Sequence, residues 1–435
     1  MPAEPASHRP DLSAGPSGAE ETPVHLAPAA ELAPAPVSLR RNRDFMVVLL
    51  GQGVSSFGDA ITNTAMPILV LALTGSGFAM GIVGVLSTLP DLVVGLPAGA
   101  YADRWDRRRM MFVADVGRAV LTALVPLSVW LGGPTLAVVI GVAFPLNVLR
   151  VLWLAAFTAA VPGLVGREQV PRANGVLEAA WTVGWVVGPA LAGLLAVAIG
   201  PGPTIAIDAA TFAVSAGSLF FVRRSLRPEV RTERTHIVAD VREGIAFVAR
   251  QPTLRAVILF WTTTSVISAG LTGALIFYIT IDRDLGTAVV GLVLSAFAVG
   301  SLGGSVVAAR LAPKPVGLVM LLGAVGMGVA LIASVGTPVP VIVAVCLLAG
   351  ILDAYVLVGY LSLRTLLSPD ALLGRVGATA RTLSVGLTPL GSLAAGIALD
   401  TIGGGATLTL MGLGLVVAGA GFALVPNVRR ARLAV

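Results

Sequence analysis

The chain has 435 residues, of which 56% are hydrophobic and only 12% are charged. Soluble globular proteins carry roughly 25% charged residues, so the composition excludes that class and indicates a surface that mostly faces lipid. The net charge of +6 comes from arginines in short gaps between apolar runs, which is typical of membrane orientation and not of nucleic-acid binding. The single cysteine, Cys346, excludes an intramolecular disulfide and a cysteine metal cluster.

The chain begins with a polar segment, residues 1–39, that is rich in Pro, Ala, Ser and Glu. It has no apolar stretch of the kind that a cleaved signal peptide requires. Such a composition buries too little apolar surface to fold. We therefore expect a disordered cytoplasmic tail.

Twelve apolar runs follow, each long enough to cross a bilayer as a helix, which takes roughly 20 residues. Glycine, proline and charged residues mark the ends of the predicted spans, which are 45–73, 78–101, 110–131, 135–160, 174–199, 203–222, 255–281, 286–310, 315–335, 338–361, 376–399 and 404–425. Tight hairpins such as TGSG and GPGP join several neighbours. An all-α polytopic membrane protein with twelve transmembrane helices is predicted.

The arginines are distributed asymmetrically over the predicted loops. Loops on one side of the membrane carry nearly all of them, whereas the other side receives only Arg283. Cytoplasmic loops of membrane proteins are enriched in Lys and Arg. Both termini are therefore predicted to be cytoplasmic, in a multi-pass protein of the cell membrane.

The longest loop, residues 223–254, divides the spans six and six. We predict an N-terminal six-helix bundle at 40–222, a cytoplasmic linker at 223–254, a C-terminal six-helix bundle at 255–428 and a cytoplasmic tail at 429–435. Within the linker, Val238, Val241, Ile245 and Val248 follow helical spacing, which indicates a short amphipathic helix at the membrane surface. The fifth and eleventh spans resemble each other, and transporters often build a site between two related halves.

The loop after the second span, GAYADRWDRRR at 99–109, concentrates the charge of the chain. It resembles the Gly-x-x-x-Asp-Arg-x-Gly-Arg-Arg loop of the major facilitator superfamily, with Asp106 where the pattern prefers glycine and with five matching positions: Gly99, Asp103, Arg104, Arg107 and Arg108. The resemblance implies a cytoplasmic latch between the two halves, with Asp115, Arg118 and Arg381 as partners. Arginines that only set topology are the alternative, but they leave the aspartates unexplained.

The fifth span carries a second resemblance to the same superfamily. Its antiporters share a glycine pattern in this helix, which the chain matches at five positions, with Ala192 replacing one glycine: Gly175, Gly184, Gly188, Pro189 and Gly193. Glycines four residues apart flatten a helix face for close packing, and proline introduces a kink. Within the superfamily this pattern goes with export.

The segments GQGVSSFGDA and LTGSGFAMGIVGVLSTLPDLVVGLPAGAYADRWDRRR are similar to the branch that holds macrolide-efflux and enterobactin-exporter-like proteins. The resemblance implies the major facilitator fold and export of amphipathic small molecules, such as drugs, macrolides, siderophores or secondary metabolites, by proton antiport with alternating access. The expected partners are the substrate, protons and the lipid bilayer, without nucleic acid, cofactor or metal, in a protein that acts as a monomer. The alternatives are a facilitator or importer and, more remotely, a polytopic membrane enzyme.

Ionisable residues inside membrane spans cost roughly 2.5–3.5 kcal/mol each and usually have a function. Asp59 lies near the middle of the first span, on one polar stripe with Ser55 and Asn63. Arg150 lies near the midpoint of the fourth span, close to where the superfamily's antiporters carry an arginine implicated in proton transfer. We hypothesise that Asp59 binds the coupling proton and that Arg150 adjusts its affinity, with a static ion pair between them as the alternative. Asp353 is the other proton site considered, or a contact for a cationic substrate.

The resemblance also implies a central cavity between the first, fourth, seventh and tenth helices. Polar residues on these helices are the predicted contacts for substrate: Ser55, Asn63, Thr262, Ser265, Ser268, Thr272 and Tyr360. Asp91 in the second span and Asp208 in the sixth are equally consistent with helix packing and with a gate.

Overall fold

A computed structural model describes residues 38–133, 135–226, 237–311, 315–369, 372–429 and 431 of the chain. The predicted tails at 1–39 and 429–435 lie almost wholly outside the described residues, and so do residues 227–236 of the linker. In the part of the chain that is described, every regular element is helical.

The first half of the chain forms six long helices. They are α1 (Arg43–Thr74), α2 (Gly77–Ala102), α3 (Arg107–Trp130), α4 (Thr135–Val165), α5 (Val170–Ile199) and α6 (Pro201–Leu219). Local chemistry sets their ends: the Asn42 side chain caps α1 by accepting a hydrogen bond from the Phe45 N–H at 3.1 Å. Gly75 ends α1 with a φ of +63°, a conformation that favours glycine.

The second half begins with the linker helix α7 (Ile237–Arg250). It continues with α8 (Pro252–Ser268), α9 (Leu271–Phe277), a π-helical turn (Tyr278–Asp282), α10 (Thr287–Leu311), α11 (Val316–Ser334), α12 (Val339–Leu366), α13 (Leu373–Ala423) and α14 (Pro426–Arg429). The 51-residue α13 is broken at Gly403, whose φ of +79° is not helical, so it provides two membrane-length segments.

Ten helical segments among the described residues are long and apolar enough to cross a membrane, with Pro252–Asp282 counted as one. The break in α13 adds an eleventh, and the 19-residue α6, which packs against α1 and α3, is the twelfth. The prediction of twelve transmembrane helices in two six-helix bundles is confirmed. α7 packs on α13, where Arg375 pairs with Glu243 at 2.6 Å.

The helices pack as two bundles, which we call the N-half (α1–α6) and the C-half (α8–α13). The largest contacts between them are α2 with α13 and α5 with α10, and α9 also contacts α1 and α2. We call the end with the loop at 103–106 the charged end, and the opposite end, with the turn at Gly75–Ser76, the hairpin end.

Three apolar cores hold the bundles together, and only one of them belongs to both halves. That core lies toward the hairpin end and joins residues such as Val70 and Ile205 of the N-half to Ile276 and Leu399 of the C-half. The other two lie toward the charged end, one within the N-half around Met111 and one within the C-half. Among the described residues, the apolar core that the two halves share therefore lies at the hairpin end.

Candidate functional site

The contact between α2 and α13 is tight toward the hairpin end and opens toward the charged end. A side-chain carbon added at Gly77 would lie 2.3 Å from Leu399 Cβ, and one at Gly81 would lie 2.9 Å from the Ser392 carbonyl oxygen. Near the charged end, an added carbon would meet nothing within 4 Å at any of four glycines of the same helices: Gly95, Gly99, Gly374 and Gly377. A space between the halves thus widens toward the charged end.

The glycine pattern of the fifth span packs α5 against helices of both halves. A carbon added at Gly184 would lie 3.0 Å from Ser56 Oγ, and one at Gly188 would lie 2.4 Å from Ala60 Cβ, both on α1. Gly193 instead faces α10, where an added carbon would lie 2.7 Å from the Thr287 carbonyl oxygen.

The remaining members of this pattern lie in different surroundings. Pro189 is buried inside α5, and a carbon added at Gly175 would meet nothing within 4 Å. The pattern therefore holds α5 against α1 and joins the halves near the hairpin end.

A carboxylate also ties the halves together at the hairpin end. Asp400 of α13 accepts hydrogen bonds from Ser76 Oγ at 2.7 Å, from the Phe78 N–H at 3.0 Å and from the Gly77 N–H at the start of α2. A negative charge at a helix N-terminus is favourable because the free N–H groups there carry partial positive charge. Sequence analysis did not select Asp400, because its partners lie more than 320 residues away.

The centre of the N-half holds a buried ionic network around Arg118 of α3, which is 3% exposed. Its guanidinium pairs with Asp59 of α1 at 2.6 Å and with Asp115 at 3.4 Å, and lies 3.9 Å from the centroid of the Phe212 ring. Asp115, which is fully buried, also accepts hydrogen bonds from Trp153 Nε1 at 3.1 Å and Ser215 Oγ at 2.8 Å.

The static ion pair between Asp59 and Arg150, considered as the alternative, is not present in this structure. Arg150 pairs with Asp91 of α2 and donates to Asn147 Oδ1 at 3.0 Å. Asp91 also accepts from Arg381 of the C-half at 3.3 Å, so it connects the two halves. Sequence analysis identified every member of these networks as ionisable, but the contacts between helices decide which arginine meets which aspartate.

The latch at the charged end stays a prediction, and this structure places its expected partners away from the loop. Asp115 and Arg118 are buried in the N-half, and the ion-pair partner of Arg381 is Asp91 and not the loop residue Asp103, which is exposed. Asp106 caps α3 by accepting from the Arg108 and Arg109 N–H groups at 3.0 and 3.3 Å, which explains an aspartate in place of glycine.

Arg107 and Arg108 of this loop have partners within the N-half. Arg107 donates to the Ala102 carbonyl oxygen at 3.2 Å, and Arg108 to the Phe220 carbonyl oxygen at 3.1 Å, both within the N-half. Arg104 and Gly99 are exposed.

The predicted cavity residues separate into buried and accessible groups. Ser55 is 1% exposed, and Thr262 is buried with its hydroxyl 3.3 Å from Ser384 Oγ. Tyr360 is buried and stacks on Trp261 with the ring centroids 4.7 Å apart, so these three positions lie inside the bundles.

Four predicted cavity residues remain accessible to some degree. Asn63 and Thr272 are exposed, whereas Ser265 and Ser268 are half-buried. Asn63 donates to the Asp59 carbonyl oxygen of its own helix at 2.7 Å.

Asp353 lies on a face of α12 that the neighbouring contacts define. Leu352 packs on Gly323 and Gly326 of α11, and Gly350 contacts Phe297 of α10. Asp353 points away from both and shares its face with Tyr360, seven residues later. It is half-buried, and none of the ion pairs among the described residues includes it.

Comparison with known proteins gives relatives over most of the chain. The multidrug efflux pump Tap of Mycolicibacterium fortuitum is 28% identical over 407 residues, which covers 89% of this chain and 97% of that protein. Tap of Mycobacterium tuberculosis (strain ATCC 25618 / H37Rv) is 29% identical over 412 residues, covering 89% of this chain and 94% of that protein. Macrolide efflux protein A of Streptococcus pyogenes is 27% identical over 226 residues, covering 50% of this chain and 54% of that protein.

Solved structures with the same fold include a bacterial homolog of the human lysosomal transporter Spinster in an inward-facing, unoccupied conformation. It aligns with a TM-score of 0.74 at 13% identity, covering 91% of this chain and 98% of that chain. The nucleoside transporter NupG aligns with a TM-score of 0.71 at 11% identity, covering 88% and 98%. The family model of the Major Facilitator Superfamily matches residues 48–389. The chain belongs to the Major Facilitator Superfamily and is a multi-pass membrane transporter, not an enzyme.

Proposed function

We propose that the protein exports amphipathic small molecules from the cell by proton antiport with alternating access. The observation that carries this proposal is the shared apolar core at the hairpin end combined with the space that widens toward the charged end. The positive-inside rule assigns the arginine-rich charged end, and with it both termini, to the cytoplasm. The arrangement then corresponds to a state that takes up substrate from the cytoplasm.

Export is favoured over import by two independent features. The two Tap proteins, which are efflux pumps by name, align along nearly their whole length. The glycine pattern of α5 resembles that of the superfamily's antiporters and packs α5 on α10 near the hairpin end. Such a contact lets the halves rock about the hairpin end, because glycine offers no side chain to interlock.

The substrate would bind between the halves, through the accessible members of the predicted cavity set. Asn63 from the N-half and Thr272 from the C-half are exposed polar groups, with Ser265 and Ser268 half-buried along the same seventh span. Few polar groups in a largely apolar site suit amphipathic molecules of varied structure. The free carboxyl of Asp353 would attract a cationic substrate.

Asp59 remains the residue at which we propose that the coupling proton enters. Arg118, and not Arg150, would adjust its proton affinity. The Asp59 side chain is 22% exposed, whereas that of Arg118 is 3% exposed, so the pair joins the accessible surface to the buried core. A proton on Asp59 would neutralise its carboxylate and weaken its ion pair with Arg118. Because this pair joins α1 to α3, protonation would be linked to the relative positions of these helices. Asp353 is the alternative site for the proton.

The test uses purified full-length protein in liposomes that enclose a pH-sensitive dye. An erythromycin gradient, and separately an ethidium gradient, is imposed on wild type, Asp59→Asn and protein-free liposomes. Proton flux that depends on substrate and is lost in Asp59→Asn is the expected result. Substrate flux without proton flux in wild type would instead establish a facilitator.

A further inference from the structure

We propose that Asp208 is the carboxyl group that holds the transported proton, and that Arg118 exchanges between Asp59 and Asp208 as the proton moves. This inference rests on the proposed function and assigns its proton to a residue. The geometry behind it is a set of ionisable groups on neighbouring helices of the N-half. Asp59 of α1 and Asp115 of α3 pair with Arg118 of α3, and Asp208 of α6 packs against Gly58, which precedes Asp59 in α1. We call this set the carboxyl cluster.

Two members of the carboxyl cluster have partners that suit a charged carboxylate. Asp59 lies 2.6 Å from the guanidinium of Arg118. Asp115 lies 3.4 Å from the same guanidinium and accepts two further hydrogen bonds, from Trp153 and Ser215. With both ionised, the cluster already carries one more negative charge than positive.

None of the ion pairs among the described residues includes Asp208. It is 1% exposed, and its carboxylate accepts a hydrogen bond from the neutral hydroxyl of Thr211 at 3.0 Å. Gly58 of α1 packs directly against Asp208, because a side-chain carbon added at Gly58 would lie 2.3 Å from Asp208 Oδ1. An unpaired buried carboxylate costs several kcal/mol, so this position favours a carboxyl that carries a proton.

The surroundings of Asp208 support the same assignment. α6 packs against α1, α3 and α5. From α1, the Asp59 carboxylate opposes a negative charge on Asp208, whereas Arg118 of α3 attracts one. From α5, the ionisable residues Arg172 and Glu178 are exposed near the charged end and do not belong to this interior.

The packing of α1 on α6 gives the proton a short path. A side-chain carbon added at Gly58 would lie 3.0 Å from the Asp208 Cα, so Asp208 lies at the level of Asp59, the next residue of α1. The Asp208 O–H bond breaks, the proton passes to the Asp59 carboxylate, and Arg118 moves from Asp59 to the newly charged Asp208. The net charge of the cluster is unchanged, and Asp59, with its 22% exposed side chain, can then release the proton to water.

Infrared difference spectroscopy of the reconstituted full-length protein tests proton occupancy without any substrate. Spectra taken in mildly acidic and mildly alkaline buffer report the C=O band of protonated carboxyl groups. We expect Asp208→Asn to remove the band of a buried carboxylic acid and Asp353→Asn to leave it unchanged. A band that persists in Asp208→Asn, or that disappears in Asp353→Asn, would overturn the proposal.

Transport assays separate this proposal from the proposed function. Asparagine keeps the shape of a protonated carboxyl, so Asp208→Asn should fold with an unchanged melting temperature and still exchange tritiated erythromycin across the liposome membrane. Uphill movement driven by a pH gradient should be lost, and its persistence would refute the role of Asp208. If wild type shows the Asp208 band but no substrate-linked proton flux, the proposed antiport fails while the proton site stands.

Discussion

Replacing Gly291 by alanine should push the two halves apart at the hairpin end. The added methyl would lie 2.6 Å from the Pro189 carbonyl oxygen, so the backbone must retreat by about 0.8 Å to reach the 3.4 Å of ordinary contact. Because backbone atoms on both sides form this contact, rotation of a side chain cannot relieve it. Overpacking of this kind costs about 1–3 kcal/mol. The substitution therefore destabilises the state in which the halves are closed at the hairpin end, relative to the state in which they are separated there.

A free-energy difference of that size changes the population of the alternative state by about 5–150-fold. The assay is maleimide labelling of a cysteine at Leu399, which is 3% exposed and packs on Gly77 across the junction between the halves. The native Cys346 is buried and is replaced by alanine to remove background labelling. We expect Gly291→Ala to increase the labelling rate at position 399 severalfold or more.

Gly303→Ala is the matched control, because it lies on the same helix and its added carbon would meet nothing within 4 Å. It should label at position 399 as the parent protein does. The reasoning is refuted if Gly291→Ala melts normally and labels at the parent rate, since the halves would then tolerate the methyl group without separating.

Two further predictions concern the charged residues. Arg118→Met removes the cation from the buried Asp115 and the half-buried Asp59. Breaking a buried pair costs about 3–5 kcal/mol, so the melting temperature in detergent should fall sharply. Arg109→Met, at an exposed position, should barely change it, and equal melting of the two variants would contradict the network. Asp400→Asn weakens the hydrogen bonds from the start of α2 and should raise maleimide labelling at position 399. Asp103→Asn, at the charged end, should leave the labelling unchanged. Equal labelling of the two variants would show that Asp400 does not hold the halves together at the hairpin end.

Much of the fold follows from the sequence, because a segment that crosses a bilayer must be a long apolar helix. The polar loop residues between such segments mark where each helix ends. The predicted limits of the twelve spans lie within five residues of the helices, including the break near Gly403 that separates the last two. The glycine pattern of α5 correctly indicated close packing. The sequence also identified Asp59 and Arg150 as ionisable groups inside the membrane, whereas Arg118 was expected at the cytoplasmic latch.

The partners themselves were decided by the tertiary structure. Whether Asp59 meets Arg118 or Arg150 depends on how α1, α3 and α4 are rotated and placed, and residue spacing within one helix contains no information about that arrangement. The same holds for Ser55 and Tyr360, which share helical faces with accessible residues but are buried by neighbouring helices. The sequence by itself determined the number, length and polarity of the helices, because these properties depend on how each single segment behaves in lipid. Tertiary packing decided the ion pairs and the end at which the halves join. These depend on contacts between segments that are far apart in the chain.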